Sequence, residues 1–168
     1  ERLDSAVYKD SKLICEYNDK SQNVKSVLYS YSNEWKIIRM IYSSFNEKGE
    51  LVENVTVNWD SEKQLYVNST KEEKSYDENN QLLELKESVW NGEKWLLENR
   101  YTYLYENNLL QEKLLYISDY PEPFEKNIYQ YNQDKKIIKD ELFIKDLVSW
   151  YPEIYEWYET ADESISYS

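Results

Sequence analysis

Apolar and polar side chains alternate along much of this chain with a period of two residues. The clearest stretch places Trp95, Leu97, Tyr101, Tyr103 and Tyr105 on one face and Glu98, Arg100 and Thr102 on the other. Shorter stretches of the same kind cover residues 27–31, 51–59 and 129–131. Because successive side chains of a β-strand point to opposite faces, this period predicts half-buried antiparallel strands.

A degenerate repeat sets the boundaries of these strands. An aromatic residue followed by a polar turn and then an apolar residue recurs at intervals of 26 to 31 residues, beginning at Tyr17, Phe45, Tyr76, Tyr105 and Tyr131. A second turn signal lies near the middle of each interval. Among these, Asn91-Gly92 predicts a two-residue type I′ turn, which needs positive φ at both central positions. Each repeat unit is therefore expected to be a β-hairpin.

Hairpins that follow one another in the chain pair with their neighbours. The sequence thus predicts one all-β domain over residues 1–168, an antiparallel meander of about ten strands that is either barrel-like or an open twisted sheet. A chain of 168 residues is long enough to enclose a real core. The competing interpretation is a helix over residues 135–150, where the apolar positions also suit a period of 3.6.

Composition and charge restrict the partners. The chain has 20 Lys plus Arg against 33 Asp plus Glu, a net charge of −13, which repels the phosphate backbones of nucleic acids. No run approaches the roughly 18 apolar residues of a spanning helix. The chain begins at Glu1 without an initiator Met, which is compatible with removal of an export signal.

Candidate chemistry is sparse. The absence of His excludes triads and His-containing metal sites, and two Gly cannot build a phosphate loop. Carboxylate-pair chemistry survives, but no spacing singles out a pair. Cys15 lies in an apolar stretch and is expected to be a small core residue. The acidic turns at 60–62 and 77–79 lack the ligand order of a calcium loop. We therefore predict no enzymatic activity, no cofactor and no metal.

Tryptophan supplies the one candidate binding surface. Trp35, Trp59, Trp90 and Trp95 recur beside the mid-unit turns, so they line one end of the predicted sheet. Trp59, Trp90 and Trp95 are the candidate residues for an aromatic platform, and packing within the sheet is the alternative role for these rings. We expect Trp90 and Tyr103 to be packed, and truncating a buried large aromatic to Ala costs about 3–5 kcal/mol.

The turns also resemble a known repeat. Tyr76-Asp77-Glu78-Asn79-Asn80-Gln81-Leu82 and Trp90-Asn91-Gly92-Glu93-Lys94-Trp95 are similar to the tandem YD-like repeats of exported Bacteroidetes proteins. That family includes domains of unknown function with a porin-like, up-and-down β fold. The resemblance covers residues 17–157, is strongest over residues 45–105, and implies a secreted or cell-envelope location with no catalytic residues. This chain departs from the pattern because Asn80 and Asn108 stand at or near positions where the family usually has Gly.

Two functions from different classes follow. One is an exported or cell-envelope β-repeat module with a structural or protein-interaction role, in which open sheet edges would bind the partner. The other is a glycan-binding module that uses surface Trp and Tyr. Solvent exposure of Trp90 and Trp95 separates them, because fully buried rings would remove the second.

Overall fold

A computed structural model describes residues 2–145 and 150–156 of the chain. This part consists of antiparallel β-strands that follow one another in the sheet in the same order as in the sequence. The twelve strands are β1 (Arg2–Tyr8), β2 (Ser11–Tyr17), β3 (Asn23–Tyr31), β4 (Trp35–Phe45), β5 (Leu51–Asp60), β6 (Leu65–Tyr76), β7 (Leu82–Trp90), β8 (Trp95–Glu106), β9 (Leu109–Ile117), β10 (Glu125–Tyr131), β11 (Ile137–Lys145) and β12 (Trp150–Glu156).

The all-β meander predicted from the repeat is confirmed, in its open-sheet form, because the strand order begins at β1 and ends at β12. Two strands more than expected are present in the described residues, since a further hairpin, β1–β2, precedes the first repeat at Tyr17. The helix considered for residues 135–150 is wrong over Ile137–Lys145, which pairs with β10 as strand β11. Residues 146–149 lie outside the described part.

The chain divides into two compact units, residues 1–99 and 100–168. The first contains β1 to β7 and the start of β8, and the second contains the rest of β8 and the strands after it. The boundary between the units falls within β8. The expectation of a single domain over 1–168 stays a prediction.

Four turns share one hydrogen-bonding scheme, and we call them the Asx turns. Each begins with an Asn or Asp whose Oδ1 accepts the backbone N–H four residues later, at Asn18, Asn46, Asp77 and Asn132. The backbone N–H of the same residue donates to that later residue's carbonyl. The residue in third place after it has positive φ in every copy, which are Ser21 (60°), Gly49 (95°), Asn80 (65°) and Lys135 (62°). Asn and Asp favour such turns because the short side chain replaces a backbone acceptor.

A register shift precedes each Asx turn, directly before the aromatic residue that the repeat pattern singled out. These aromatics are Tyr17, Phe45, Tyr76 and Tyr131. The hydroxyl of Tyr76 donates to the carbonyl of Leu51 at 2.9 Å, and that of Tyr131 donates to Leu110 at 2.7 Å. Tyr76 and Tyr131 thus each tie a turn to the start of the preceding hairpin's first strand.

Neighbouring Asx turns of the first unit are also joined side by side. Gln22 Nε2 donates to the carbonyl of Gly49 at 3.0 Å, and Lys48 Nζ donates to the carbonyl of Glu78 at 2.7 Å. These bonds satisfy carbonyl groups that would otherwise face solvent at the end of the sheet. The three turns at residues 18–22, 46–50 and 77–81 therefore form a hydrogen-bonded row.

The expectation of a real core is wrong for the described residues. Between residues 4 and 145, Val27, with 5% of its surface exposed, is the one buried hydrophobic residue, Ser88 is the one buried polar residue, and the other strand residues are half-buried or exposed. Trp90, Tyr103 and Cys15 are all half-buried. The full cost of truncating a buried ring therefore does not apply to Trp90 or Tyr103. Side chains gain their burial from cross-strand neighbours on the same face instead of from an opposing layer.

Candidate functional site

Three hairpin turns of the first unit are flanked by a pair of aromatic rings, and we call these the aromatic pairs. Tyr31 and Trp35 flank the β3–β4 turn, with ring centroids 5.3 Å apart and planes inclined at 55°. Trp59 and Tyr66 flank the β5–β6 turn at 4.9 Å and 64°. Trp90 and Trp95 flank the β7–β8 turn at 5.2 Å and 67°. Tilted and edge-to-face contacts of this kind suit the ring quadrupoles.

The strand register explains why these rings meet. Tyr31 lies directly opposite Trp35, and Trp59 lies directly opposite Tyr66. Residues directly opposite in an antiparallel pair have Cβ atoms about 4.5–5.5 Å apart, which brings large rings into contact. Each pair of rings therefore makes a cross-strand contact at the turn end of its hairpin, although the three turns differ in length.

All three pairs lie on the same side of the sheet, which we call the aromatic face. Val27 opposes Met40, and Met40 opposes Val57, so Tyr31 and Trp59 share a face with this row. Lys71 opposes both Val55 and Ser88, which places Trp90 on that face as well. The Nζ of Lys71 lies 5.6 Å from the Trp95 ring centroid, as expected for a ring on the same side.

The turn beside the third pair differs from the expected two-residue type I′ turn, which is wrong at Asn91-Gly92. Gly92 has a φ of 101°, but Asn91 does not have positive φ. Asn91 instead uses Oδ1 to accept the backbone N–H groups of Glu93 and Lys94 across a longer loop. Positive φ at two successive residues occurs at Asn107 and Asn108, between β8 and β9. Asn tolerates this conformation because its short side chain bonds locally.

The rings of the aromatic face are open to solvent to different degrees. Trp59 is 37% exposed, Tyr31 46%, Trp35 41% and Tyr66 39%, whereas Trp90 and Trp95 are half-buried. None of these six rings is fully buried. Full burial of Trp90 and Trp95 would have excluded a binding platform, and the structure does not show it. Ring surface remains available at each aromatic pair.

Positive and negative side chains on the aromatic face are equal in number. From β1 to β7 this face carries four lysines and four glutamates, which are Lys12, Lys25, Lys71, Lys86, Glu16, Glu53, Glu73 and Glu84. Three ion pairs join six of them, with N–O distances of 2.9 Å for Lys25–Glu16, 2.8 Å for Lys71–Glu73 and 2.8 Å for Lys86–Glu84. Lys12 Nζ lies 5.5 Å from the ring centroid of Tyr29. The hydrogen bond from Lys25 to Glu16 raises the pKa of Lys25, so this lysine stays charged.

The opposite face of these strands is more polar. Ser43 donates to Asn54 at 2.7 Å, Arg39 donates to Asn58 at 3.1 Å, and the Cys15 sulfur lies 3.6 Å from the Ser26 hydroxyl. These contacts are cross-strand pairs of polar side chains, which stabilise a solvated sheet surface. The Ser26 hydroxyl beside Cys15 does not supply the general base that a nucleophilic thiol needs.

A depression of about 400 Å³ lies beside the first two Asx turns, lined mainly by polar residues that include Asn18, Gln22, Ser44 and Asn46. The side chains of Asn18, Gln22 and Asn46 already bond to the turns themselves. The acidic turns behave similarly, because Asp60 and Asp77 accept backbone N–H groups of their own turns. Within residues 2–145 and 150–156, no group of three Cys, Asp or Glu side chains is placed to hold a metal ion.

The structure brings two of the three predicted platform residues together. Trp90 and Trp95 contact each other, and Trp59 belongs to a separate pair. The predictions overlooked Tyr31 and Tyr66 as ring partners. Their position, next to a mid-unit turn and opposite a Trp, is visible in the sequence once the strand register is known.

The part of the chain that the structure describes includes no helix with the length and apolarity needed to cross a membrane.

Comparisons with solved structures give matches of low TM-score and low sequence identity. No protein family model matches the sequence, and no curated protein is similar to it. A DUF3836 family protein from Bacteroides vulgatus ATCC 8482 has a TM-score of 0.44 and 12% identity, covering 53% of this chain and 91% of its own. A protein with unknown function from Bacteroides fragilis NCTC 9343 has a TM-score of 0.43 and 15% identity, covering 84% and 88%. A DUF3836 family protein from Parabacteroides distasonis ATCC 8503 has a TM-score of 0.40 and 16% identity, covering 69% and 92%.

Proposed function

We propose that this chain is a non-enzymatic interaction module that binds a partner on its aromatic face. The observation that carries the proposal is the half-exposed aromatic pair, present at the same place in three successive hairpins. Covering apolar surface contributes about 25 cal/mol per Å², and contiguous exposed apolar surface marks interaction sites on soluble proteins. A partner on this face would supply the burial that the sheet itself does not provide.

The chemistry of the chain supports the non-enzymatic part of the proposal. The sequence contains no His and a single Cys. Three of the four lysines and three of the four glutamates of the aromatic face are joined in ion pairs, and Asp60 and Asp77 act as turn acceptors. General acid–base catalysis needs a pair of titratable groups held free for a substrate, and these groups already have structural partners.

A secreted or cell-envelope location is the second part of the proposal. Its support is the resemblance of the tyrosine-led and tryptophan-led turns to YD-like repeats of exported proteins. The test is fractionation of the organism that makes the protein, followed by protease treatment of intact cells. Recovery in the cytosolic fraction alone would contradict this location.

Two separate variants test the interaction role: Trp59→Ala removes a ring of the aromatic face, and Leu65→Ala is its control. Leu65 is 47% exposed and precedes Tyr66 on β6, so its side chain points away from the aromatic face. We expect binding in carbohydrate and peptide array screens to be lost in Trp59→Ala and retained in Leu65→Ala, with both variants folded by circular dichroism. Equal binding by both variants would contradict a role for the aromatic face, and turnover of chromogenic glycosides or esters would contradict the non-enzymatic assignment.

A further inference from the structure

The charge balance of the aromatic face carries a more specific conclusion, which rests on the proposed function. We infer that the partner of this face is an uncharged carbohydrate chain. The chain as a whole has a net charge of −13, yet the aromatic face from β1 to β7 has as many lysines as glutamates. The aromatic face of this strongly acidic protein is therefore locally neutral, and the aromatic rings lie on it.

Neutrality of this face excludes recognition by net charge. A basic partner would be drawn to other, more acidic surfaces of the chain, and an acidic partner would be repelled by the protein as a whole. The lysines at positions 25, 71 and 86 are already paired with glutamates on the same face. Stacking and hydrogen bonding to neutral groups remain as the means of recognition.

The ion pairs also distinguish a carbohydrate from an apolar protein surface. Covering Lys25–Glu16 or Lys71–Glu73 with apolar side chains would remove water from the charges without replacing its hydrogen bonds, which is costly. Sugar hydroxyls donate and accept hydrogen bonds, so they substitute for that water. A face that mixes exposed rings with paired charges fits a ligand that mixes C–H surfaces with hydroxyl edges.

The rings supply the stacking surface for such a ligand. The C–H groups on one side of a pyranose carry a small positive charge, and the face of an aromatic ring is its negative region. Trp59 and Tyr66 are each more than a third exposed, as are Tyr31 and Trp35. Sugars therefore have access to rings in two adjacent pairs.

The spacing of the pairs points to a chain of sugars instead of a single ring. Successive pairs are two strands apart, which separates them by at least about 9 Å across the strands. The Tyr66 hydroxyl donates to the carbonyl of Ile37 at 3.1 Å, so the second pair is anchored to β4, the strand that carries Trp35. This bond fixes the two pairs relative to each other before a ligand arrives, which lowers the entropic cost of binding.

Affinity electrophoresis through gels that contain one polysaccharide each tests the inference on the full chain. The neutral set is xyloglucan, laminarin and galactomannan, and the anionic set is polygalacturonate and alginate. We expect retardation by at least one neutral polysaccharide and by neither anionic one. Trp59→Ala should weaken that binding by about tenfold, as loss of a stacking ring would, and Leu65→Ala should leave it unchanged.

Tyr66→Phe keeps the ring and removes the hydroxyl that bonds to Ile37, and its intermediate loss of affinity would indicate that anchoring contributes. Binding of an anionic polysaccharide as tight as that of any neutral one would overturn the inference, as would equal losses in Trp59→Ala and Leu65→Ala. If no polysaccharide binds, light scattering tests for self-association and a peptide array tests for peptide binding. Self-association or peptide binding that is lost in Trp59→Ala would overturn the carbohydrate and keep the interaction module, whereas a monomer without any binding would overturn both.

Discussion

Two kinds of turn alternate between β2 and β8 in the first unit, and their copies share different features. The Asx turns rely on one side-chain acceptor and one residue with positive φ, and the copies at Asn18, Asn46 and Asp77 have the same length. The turns beside the aromatic pairs place three, six and four residues between the paired rings. A shared set of hydrogen bonds thus defines the Asx turns, whereas the other three turns share the flanking ring contact and differ in their hydrogen bonds, with side-chain acceptors at Asp60 and Asn91.

The difference shows where the chain can vary without losing its fold. An Asx turn specifies the positions of several backbone N–H groups, so a change in its length would break the bonds and the lateral row they form. A pair of rings needs only opposite positions on neighbouring strands, which leaves the loop free to differ. Ligand contact is therefore more compatible with the aromatic pairs than with the Asx turns.

The largest expected effect comes from breaking an aromatic pair. Trp90→Ala removes a half-buried ring that contacts Trp95, and we expect a loss of about 2–3 kcal/mol, below the range for a buried Trp. Urea unfolding followed by circular dichroism gives the value. Leu65→Ala is the control, because this residue is 47% exposed and lies on the face opposite the rings. A cost no greater than that of the control would show that the ring contact does not hold the hairpin.

Breaking an Asx turn should cost slightly less. Asp77→Ala removes the acceptor for the N–H groups of Asn79 and Gln81, both at 2.8 Å, and we expect a loss of about 2 kcal/mol. Asp77→Asn keeps an acceptor, as at Asn46, and should remain close to the wild type. If both substitutions are equally harmful in urea unfolding, the negative charge and not the acceptor geometry stabilises this turn.

Substituting one glycine in each kind of turn distinguishes the cost of backbone strain from the cost of crowding. Gly49 has a φ of 95°, and an added Cβ would lie 3.1 Å from Gln22 Nε2, whereas Gly92 has a φ of 101° with open space around it. We expect Gly49→Ala to cost about 1.5 kcal/mol and Gly92→Ala less, since both carry strain but only the first also disturbs the lateral bond. Thermal unfolding of the two variants side by side measures the difference. A larger cost at Gly92 would contradict the lateral row as a source of stability.

The smallest effect is expected at the tyrosine that leads an Asx turn. Burial, and secondarily the charge of Glu50, raises the pKa of Tyr76 above its ordinary value. A raised pKa in the folded state means that this contribution is fully present below the unfolded pKa of about 10 and is lost as pH rises through the folded value. Tyr76→Phe should cost about 1 kcal/mol at neutral pH, through the lost bond to Leu51, and less at alkaline pH.

Urea midpoints measured from pH 7 to above pH 10 give this profile. Tyr120→Phe is the matched control, because the Tyr120 ring is 72% exposed. A constant difference between Tyr76→Phe and the wild type across that range would contradict the assignment of the alkaline loss to Tyr76.

Much of the fold follows from local signals in the sequence. The aromatic-Asx spacing located the turns at 18–22, 46–50, 77–81 and 132–136, because one side-chain acceptor is enough to define each of them. Sequence alone did not reveal the register shifts, such as the one between Leu28 and Tyr29, since a bulge carries no distinctive residue here. These shifts change which side chains share a face, so strict alternation fails over long strands.

The lack of a core was also beyond the sequence. Alternating apolar residues such as Val55, Val57 and Trp59 look the same in the sequence whether or not a second layer covers them. For the candidate site, the composition identified the tryptophans, but the pairing of Trp59 with Tyr66 depends on register. The balance of lysine and glutamate on one face could not be counted before the strands were paired.

Strand order has a consequence for how such a chain can lengthen or shorten. In the described residues each strand pairs with those just before and after it in sequence, so folding requires few distant encounters and stability approximates a sum of nearest-neighbour terms. Deleting one whole hairpin would leave the remaining strands paired in sequence order, and each kind of turn would stay at the same end of the strands. Deleting a single strand would reverse the direction of every later strand, so the two kinds of turn would change ends. Gene duplication in this architecture should therefore proceed by pairs of strands, and the count of hairpins becomes a quantity that evolution can adjust without redesigning the rest.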